Sequence, residues 1–153
     1  METVELKKVN VLAAYNKAAD VVKQSLSDLF KGQIDFNMKI TDRIDSVEAA
    51  LAYKGKTLSD ITSPNDTKDE AAYKVIKFVI GVLNEEWVAN YDDSDQVKYE
   101  PRFIKRPGVG LAYSVYVIWF TATTVGVRLV YRDLPTLKHG VKILEKYYND
   151  FLN

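Results

Sequence analysis

The chain has 153 residues, 47% of them hydrophobic and 27% charged, which is enough to bury the core of one globular domain and excludes a disordered chain. Its 21 Lys and Arg are balanced by 21 Asp and Glu, and this balance argues against a protein that coats nucleic acid through a basic surface. Because there is no Cys and only one His, a disulfide framework, a thiolate site and a multi-histidine zinc site are excluded.

The N-terminal residues predict one amphipathic helix, which runs over residues 4–31 and makes up a segment of its own, residues 1–33. Its apolar residues recur at spacings of three and four, and Gly32 stands where a left-handed cap is favoured. The stripe either packs on its own domain or serves as a candidate helical interface with another subunit. It consists of Leu12, Tyr15, Ala19, Val22, Leu26 and Leu29.

The next segment alternates apolar and polar residues from Ile34 to Ile40, which predicts a strand with one buried face. Asp45 and Glu48 then have the spacing of a capping box, with Asp in place of Ser or Thr. We therefore expect a short helix over residues 46–54, closed by Gly55.

Thr67 and Glu70 form a second capping box, and the following residues up to Val88 are apolar almost all round. This pattern predicts the central buried helix of the domain. Gly81 lies inside the helix and costs about 1 kcal/mol relative to Ala, which indicates the close approach of another element.

Three further strands are predicted, over residues 97–105, 110–120 and 125–131, and the first is kept at an edge by Pro101. The middle strand should place Leu111, Tyr113, Val115, Val117 and Trp119 on one face. Asp133 should cap the last helix. The predicted fold is a single α+β domain, in which residues 34–153 form a small antiparallel sheet of about four strands packed by three or four helices.

No catalytic, cofactor or metal site is predicted, and we do not expect an enzyme. His139 has no nearby nucleophile or second ligand in the sequence. Asp92, Asp93 and Asp95 are close together but lack the pattern of a calcium loop, so a solvated turn is the simpler interpretation.

A basic and aromatic cluster lies on and near the first of these three strands. Exposed aromatic rings can stack on bases while Arg and Lys bind phosphates, so the cluster is either a single-stranded nucleic-acid edge or a structural edge and protein interface. Zero net charge favours the second alternative. The candidate residues are Lys98, Tyr99, Arg102, Phe103, Lys105, Arg106 and Arg128.

Several short motifs resemble a group of small uncharacterised proteins from tailed phages and prophages of gut Bacteroidetes, including crAss-like phages. The resemblance covers about residues 34–152 and leaves the first helix outside. Glu100, Val127 and the pair Tyr131-Arg132 depart from the pattern of the group. The motifs are "MKITDRIDSVEAAL" from Met38, "KYEPRF" from Lys98, "GVGLAY" from Gly108, "TTVGVRLVY" from Thr123 and "YYNDFL" from Tyr147.

The resemblance implies an origin but no activity. Together with the missing catalytic set, it leads us to expect a non-enzymatic phage protein that acts by protein–protein contact, as a virion or capsid-associated structural or accessory component. The alternatives are a small single-stranded nucleic-acid-binding protein and a phage inhibitor of a host enzyme. We expect an oligomer or part of a larger assembly, without cofactors.

The expected location is the virion or the host cytoplasm. Glu2 and Glu5 stand where a secretory signal would carry basic residues, so no such signal is expected. The longest apolar run, Val115 to Phe120, is too short to span a bilayer, so we expect no membrane partner.

Overall fold

The structure of the chain, a computed structural model, describes residues 11, 14–15, 17–32, 34, 36, 38–108, 110–121 and 128–152. Within these residues it contains α-helices and a two-stranded antiparallel sheet, so the chain is an α+β protein as predicted. The helices are α1 (Asp20–Leu29), α2 (Ile40–Arg43), α3 (Val47–Tyr53), α4 (Lys68–Asn84), α5 (Leu134–Ile143) and α6 (Glu145–Leu152), with a 3-10 turn at Leu58–Asp60. The strands are β1 (Lys98–Arg106) and β2 (Gly110–Trp119).

The described residues form two compact units, Met1–Thr57 and Leu58–Asn153. The N-terminal unit contains α1 to α3, and the C-terminal unit contains the other helices and the sheet. The boundary that the sequence suggests after residue 33 stays a prediction.

In the N-terminal unit, the predicted strand over residues 34–40 is absent among the residues described there, because Phe36 lies in a turn and Ile40 begins α2. The backbone of this segment makes local hydrogen bonds instead of ladder bonds. The amide of Ile34 donates to the carbonyl of Phe30 at 3.1 Å, and the Arg43 guanidinium donates to the carbonyl of Phe36. Of the alternating apolar residues, Phe36 and Ile40 are therefore buried without a sheet, and Ile34 and Met38 are partly buried.

The long N-terminal helix is also interrupted. Ala19 is extended, with φ −66° and ψ 157°, and acts as the N-cap of α1. The amide of Ala18 closes the preceding turn on the carbonyl of Tyr15 at 3.2 Å. Asp20 stabilises the new N-terminus because its charge complements the helix dipole, whereas local helix propensity does not account for the break. The short helix α3 agrees with the prediction, but its N-cap is Ser46 rather than Asp45.

In the C-terminal unit, α4 begins with the predicted capping box. The side chain of Thr67 accepts from the amide of Glu70 at 3.4 Å, and the Glu70 carboxylate accepts from the amide of Thr67 at 2.8 Å. The helix ends at Asn84, before the predicted end at Val88, because Glu85 has a φ of 55°. Most of its apolar residues are buried, so α4 is the central helix of this unit. Its buried residues are Ala72, Val75, Ile76, Val79, Ile80, Val82, Leu83 and Asn84.

The last helical segment is divided at Leu144 into α5 and α6. Asp133 is the N-cap of α5, as predicted, and its carboxylate accepts from the amide of Thr136 at 2.8 Å. An ion pair between Lys68 and Asp150 at 2.8 Å connects α6 to the start of α4. This division and the unpredicted α2 explain why six helices are described rather than the three or four expected.

The predicted sheet of about four strands is not confirmed, since only β1 and β2 form strands among the residues described. Residues 122–127, which include the first three residues of the predicted strand 125–131, lie outside the described residues. At the described C-terminal end of this predicted strand, Tyr131 makes one isolated antiparallel bridge with Tyr99, with N···O distances of 3.0 and 2.8 Å. None of the described helices is long and apolar enough to cross a bilayer.

Candidate functional site

The hairpin formed by β1 and β2 contains a β-bulge that changes which side chains share a face. Arg102 pairs with Val115, but Phe103 pairs with Tyr113, so Ser114 is an extra residue on β2. Directly opposite residues share a face of the sheet. Leu111 and Tyr113 therefore join the face of Tyr116, and the single face predicted for alternate residues 111–119 is wrong beyond the bulge.

Much of this hairpin is open to solvent, which a core sheet would not be. No described residue of β2 is fully buried. The apolar run from Val115 to Phe120 is therefore not core, and the hairpin presents apolar surface on both faces. The large apolar side chains exposed in the hairpin or directly after it are Ile104, Val115, Ile118 and Phe120.

An aromatic cavity of about 750 Å³ opens where the hairpin meets α4 and α6. We call it the aromatic cavity. Its volume falls in the range of small-ligand pockets. Two ring contacts shape it, one of 5.7 Å between Tyr73 and Phe151 and one of 4.6 Å between Phe103 and Tyr148. The apolar lining is Tyr73, Pro101, Phe103, Leu111, Leu129, Tyr148, Phe151 and Leu152.

The inner wall of the aromatic cavity is fixed by a buried tyrosine pair. The hydroxyls of Tyr131 and Tyr148 share a hydrogen bond of 3.1 Å. Burial raises the pKa of Tyr131 well above its usual value, and burial also raises the pKa of Tyr148. Both hydroxyls are therefore neutral at physiological pH and act as hydrogen-bonding groups rather than as acids or bases.

Glu100 and Arg102 are the charged residues of the cavity lining. The indole of Trp119, on the neighbouring strand, donates to the Glu100 carboxylate at 2.5 Å. This hydrogen bond fixes the carboxylate at the cavity and near Tyr148, where its charge contributes to the raised pKa of that tyrosine. The cavity therefore combines an apolar interior with a fixed carboxylate from Glu100 and a positive charge from Arg102.

The candidate nucleic-acid residues of β1 do not form one surface. Lys98 is fully buried, and its ammonium donates to the carbonyls of Gln96 at 2.7 Å and Asp93 at 3.3 Å, so it cannot bind phosphate. Tyr99 bridges to Tyr131, and its ring lies 5.8 Å from Tyr116.

Phe103 is half-buried in the aromatic cavity, where it contacts Tyr148. Arg102 and Arg106 occupy alternate positions of β1, on the opposite face from Phe103 and Lys105, although Arg102 also lines the aromatic cavity. All three basic side chains are exposed. Arg128 is exposed as well but lines a separate cavity beside α4.

The candidate helical stripe is divided in the structure. Tyr15 stacks on Phe36 with ring centroids 4.3 Å apart, and Leu26 packs against the same buried cluster. Ala19, Val22 and Leu29 are exposed, and Leu12 lies outside the described residues. Half of the predicted interface is therefore open to solvent, because the helix break at Ala19 divides the stripe.

Among the carboxylates considered as metal ligands, that of Asp93 bonds to the backbone instead. Asp93 accepts from the amides of Asp95 at 2.9 Å and Gln96 at 3.2 Å, which is a turn-stabilising arrangement. No cluster of His, Cys, Asp or Glu in the described part of the chain could hold a metal ion. His139 is partly buried in α5.

Sequence reasoning did not identify the aromatic cavity. Tyr148 and Phe151 lie in α6, and Tyr73 lies in the first turns of α4. The one available signal was the number of aromatic residues on these elements, since the sequence carries 10 Tyr and 6 Phe. Comparison with known protein families, curated proteins and solved structures found no match for this chain.

Proposed function

We propose that the chain is a non-enzymatic protein that acts by protein–protein contact, as a structural or accessory component of a phage particle. The observation that supports contact is the aromatic cavity, which is open beside a hairpin with exposed apolar residues. The resemblance of residues 34–152 to phage proteins supports the origin.

Several properties of the cavity suit the side chain of a protein partner. Aromatic and apolar residues are enriched at the centres of interfaces, and the binding energy comes from anchor side chains that fill such pockets. The tyrosine pair fixes the wall in advance, so binding requires little ordering of the cavity. The exposed Ile104, Val115 and Ile118 would lie in the surrounding contact area. The partner is another protein or a second copy of the chain.

Nucleic-acid binding by β1 has less support. Arg106 faces away from Phe103, Lys98 is buried, and the ring of Phe103 is held against Tyr148. A strand that stacked bases on Phe103 would meet only Lys105 on the same face.

Quantitative mass spectrometry of purified particles tests the proposal. The phage that encodes the chain would be purified on a density gradient, and we expect the protein at a fixed ratio to the major capsid protein. An Ile118→Asp variant should be incorporated poorly. Ser114→Asp is the matched control, because Ser114 is also exposed on β2 but contributes no apolar surface. Absence of the wild-type protein from particles, despite abundance in infected cells, would overturn the particle role and favour an inhibitor.

A gel-shift titration addresses the nucleic-acid alternative. At about 50 mM salt, where phosphate contacts are strongest, we expect the triple variant Arg102→Ala, Lys105→Ala, Arg106→Ala to behave like wild type towards a short oligonucleotide. Micromolar binding that disappears in the folded triple variant would contradict protein contact as the role of β1.

A further inference from the structure

A second cavity of about 570 Å³ lies beside the C-terminal half of α4. Its walls come from α4, from the segment that follows it up to Tyr91, and from residues 128–130. Since its volume lies within the range of small-ligand sites, the cavity is large enough for a small organic molecule. We call it the α4 cavity.

Gly81 forms part of the floor of the α4 cavity. It lies inside α4 and is exposed, and a Cβ built on it would have no atom within 4 Å. The close approach predicted from its position is therefore wrong, and no packing neighbour accounts for a residue that weakens the helix. The missing side chain leaves space in the cavity, which any larger residue at this position would occupy.

The chemistry of the lining favours an anion with a flat ring. Trp87 and Tyr91 contribute aromatic surface, Lys77 and Arg128 contribute positive charge, and the lining contains no Asp or Glu. Stacking on aromatic rings combined with contacts from Lys and Arg is the chemistry by which proteins bind nucleotides.

The side-chain amide of Asn84, which also lines the cavity, is already hydrogen-bonded to the backbone. The Asn84 amide donates to the carbonyl of Val130 at 2.8 Å and accepts from the amide of Arg132 at 3.1 Å. Lys77 and Arg128 are exposed, and neither forms a salt bridge with another described residue. The positive charge of the cavity is therefore available to a ligand.

We propose that the α4 cavity binds a nucleotide, with the base against Trp87 or Tyr91 and the phosphate between Lys77 and Arg128. The nucleotide is either free or the end of a single strand, since both present the same base and phosphate. This site is separate from the aromatic cavity and does not depend on the protein-contact role.

The fluorescence of Trp87 reports directly on this site. The chain has two tryptophans, so a Trp119→Phe variant leaves Trp87 as the reporter. Titration with AMP should quench its emission, with saturation at or below about 1 mM. Adenosine, which lacks the phosphate, should bind at least about tenfold more weakly. Equal affinity for AMP and a pentanucleotide indicates a free nucleotide, and tighter binding of the pentanucleotide indicates a strand end.

Three variants test the assignment in the same background. Gly81→Leu fills the floor and should abolish quenching, while Arg128→Ala should weaken AMP binding by about tenfold. Lys105→Ala removes an exposed positive charge outside the α4 cavity and should leave the affinity unchanged. The proposal would be overturned if about 10 mM AMP caused no quenching in the Trp119→Phe protein. It would also be overturned if the folded Gly81→Leu variant bound AMP as tightly as the protein with Gly81.

Discussion

Replacing Gly140 by Ala should destabilise the C-terminal unit, even though Ala is the better helix former. Gly140 is buried in α5, and a Cβ built on it would lie 2.6 Å from the hydroxyl oxygen of Tyr131 and 2.8 Å from the Cζ atom of the ring. Non-bonded carbon atoms approach only to about 3.5 Å without repulsion. The ring cannot withdraw easily, because Tyr131 is fully buried and hydrogen-bonded to Tyr148.

The size of the effect follows from two opposing contributions. Ala in place of Gly in a helix interior gains about 1 kcal/mol. An extra methyl group in a closely packed core costs about 1–3 kcal/mol, and the short distances at Gly140 favour the upper part of that range. We therefore expect the free energy of unfolding to fall by about 1–2 kcal/mol.

Gly81→Ala is the matched control, since it is the same substitution inside a helix but with no atom within 4 Å of the new Cβ. It should raise the free energy of unfolding by about 0.5–1 kcal/mol. Urea denaturation followed by circular dichroism measures both variants. A Tyr131→Leu background should remove the cost of Gly140→Ala, because the ring that the Cβ meets is gone. Gly140→Ala as stable as wild type would refute the reasoning.

Two further changes can be measured in the same way. Phe103→Ala should lower the free energy of unfolding, measured by urea denaturation, by about 1–2 kcal/mol. This is less than the cost of removing a fully buried ring, because Phe103 is half-buried. A loss above about 3 kcal/mol would contradict the open cavity. For Asp133, burial acts to raise the pKa, but the hydrogen bonds from Thr136 and the charge of Arg132 outweigh it, so the pKa is lowered. The stability from this carboxylate is therefore present above about pH 4 and is lost as the pH falls through the folded pKa. Asp133→Ala should lower the free energy of unfolding by about 1 kcal/mol at pH 7 and by less at pH 2, whereas Asp133→Asn should retain most of the stability from the N-cap. If the cost of Asp133→Ala did not change with pH, the role of the ionised carboxylate as the cap would be contradicted.

The helices of the C-terminal unit were predictable because their signals are local. The capping box at Thr67 and Glu70 and the N-cap at Asp133 act within one turn, and both form as the sequence indicates. The ends of the long helices were not predictable, because they depend on single backbone conformations such as the positive φ of Glu85.

The functional surfaces were harder to predict because they depend on three-dimensional contacts that composition and periodicity do not encode. The buried position of Lys98 requires the carbonyls of Asp93 and Gln96 to converge on it, which the composition of the strand does not indicate. One extra residue, Ser114, rearranged the faces of β2. The sequence also suggested a close approach at Gly81, whereas the close approach occurs at Gly140.

Tyr131 links the elements on which the proposed contact role depends. Its backbone bridges to Tyr99 of β1, its ring packs over Gly140 of α5, and its hydroxyl bonds to Tyr148 of α6. These three contacts hold the base of the exposed hairpin against two helices. The wall of the aromatic cavity is consequently set before any partner arrives, so a partner side chain gains contact area with little loss of conformational freedom in the cavity. A protein that binds through such a cavity needs no catalytic group, and its specificity follows from the shape of the cavity and the charge of Glu100.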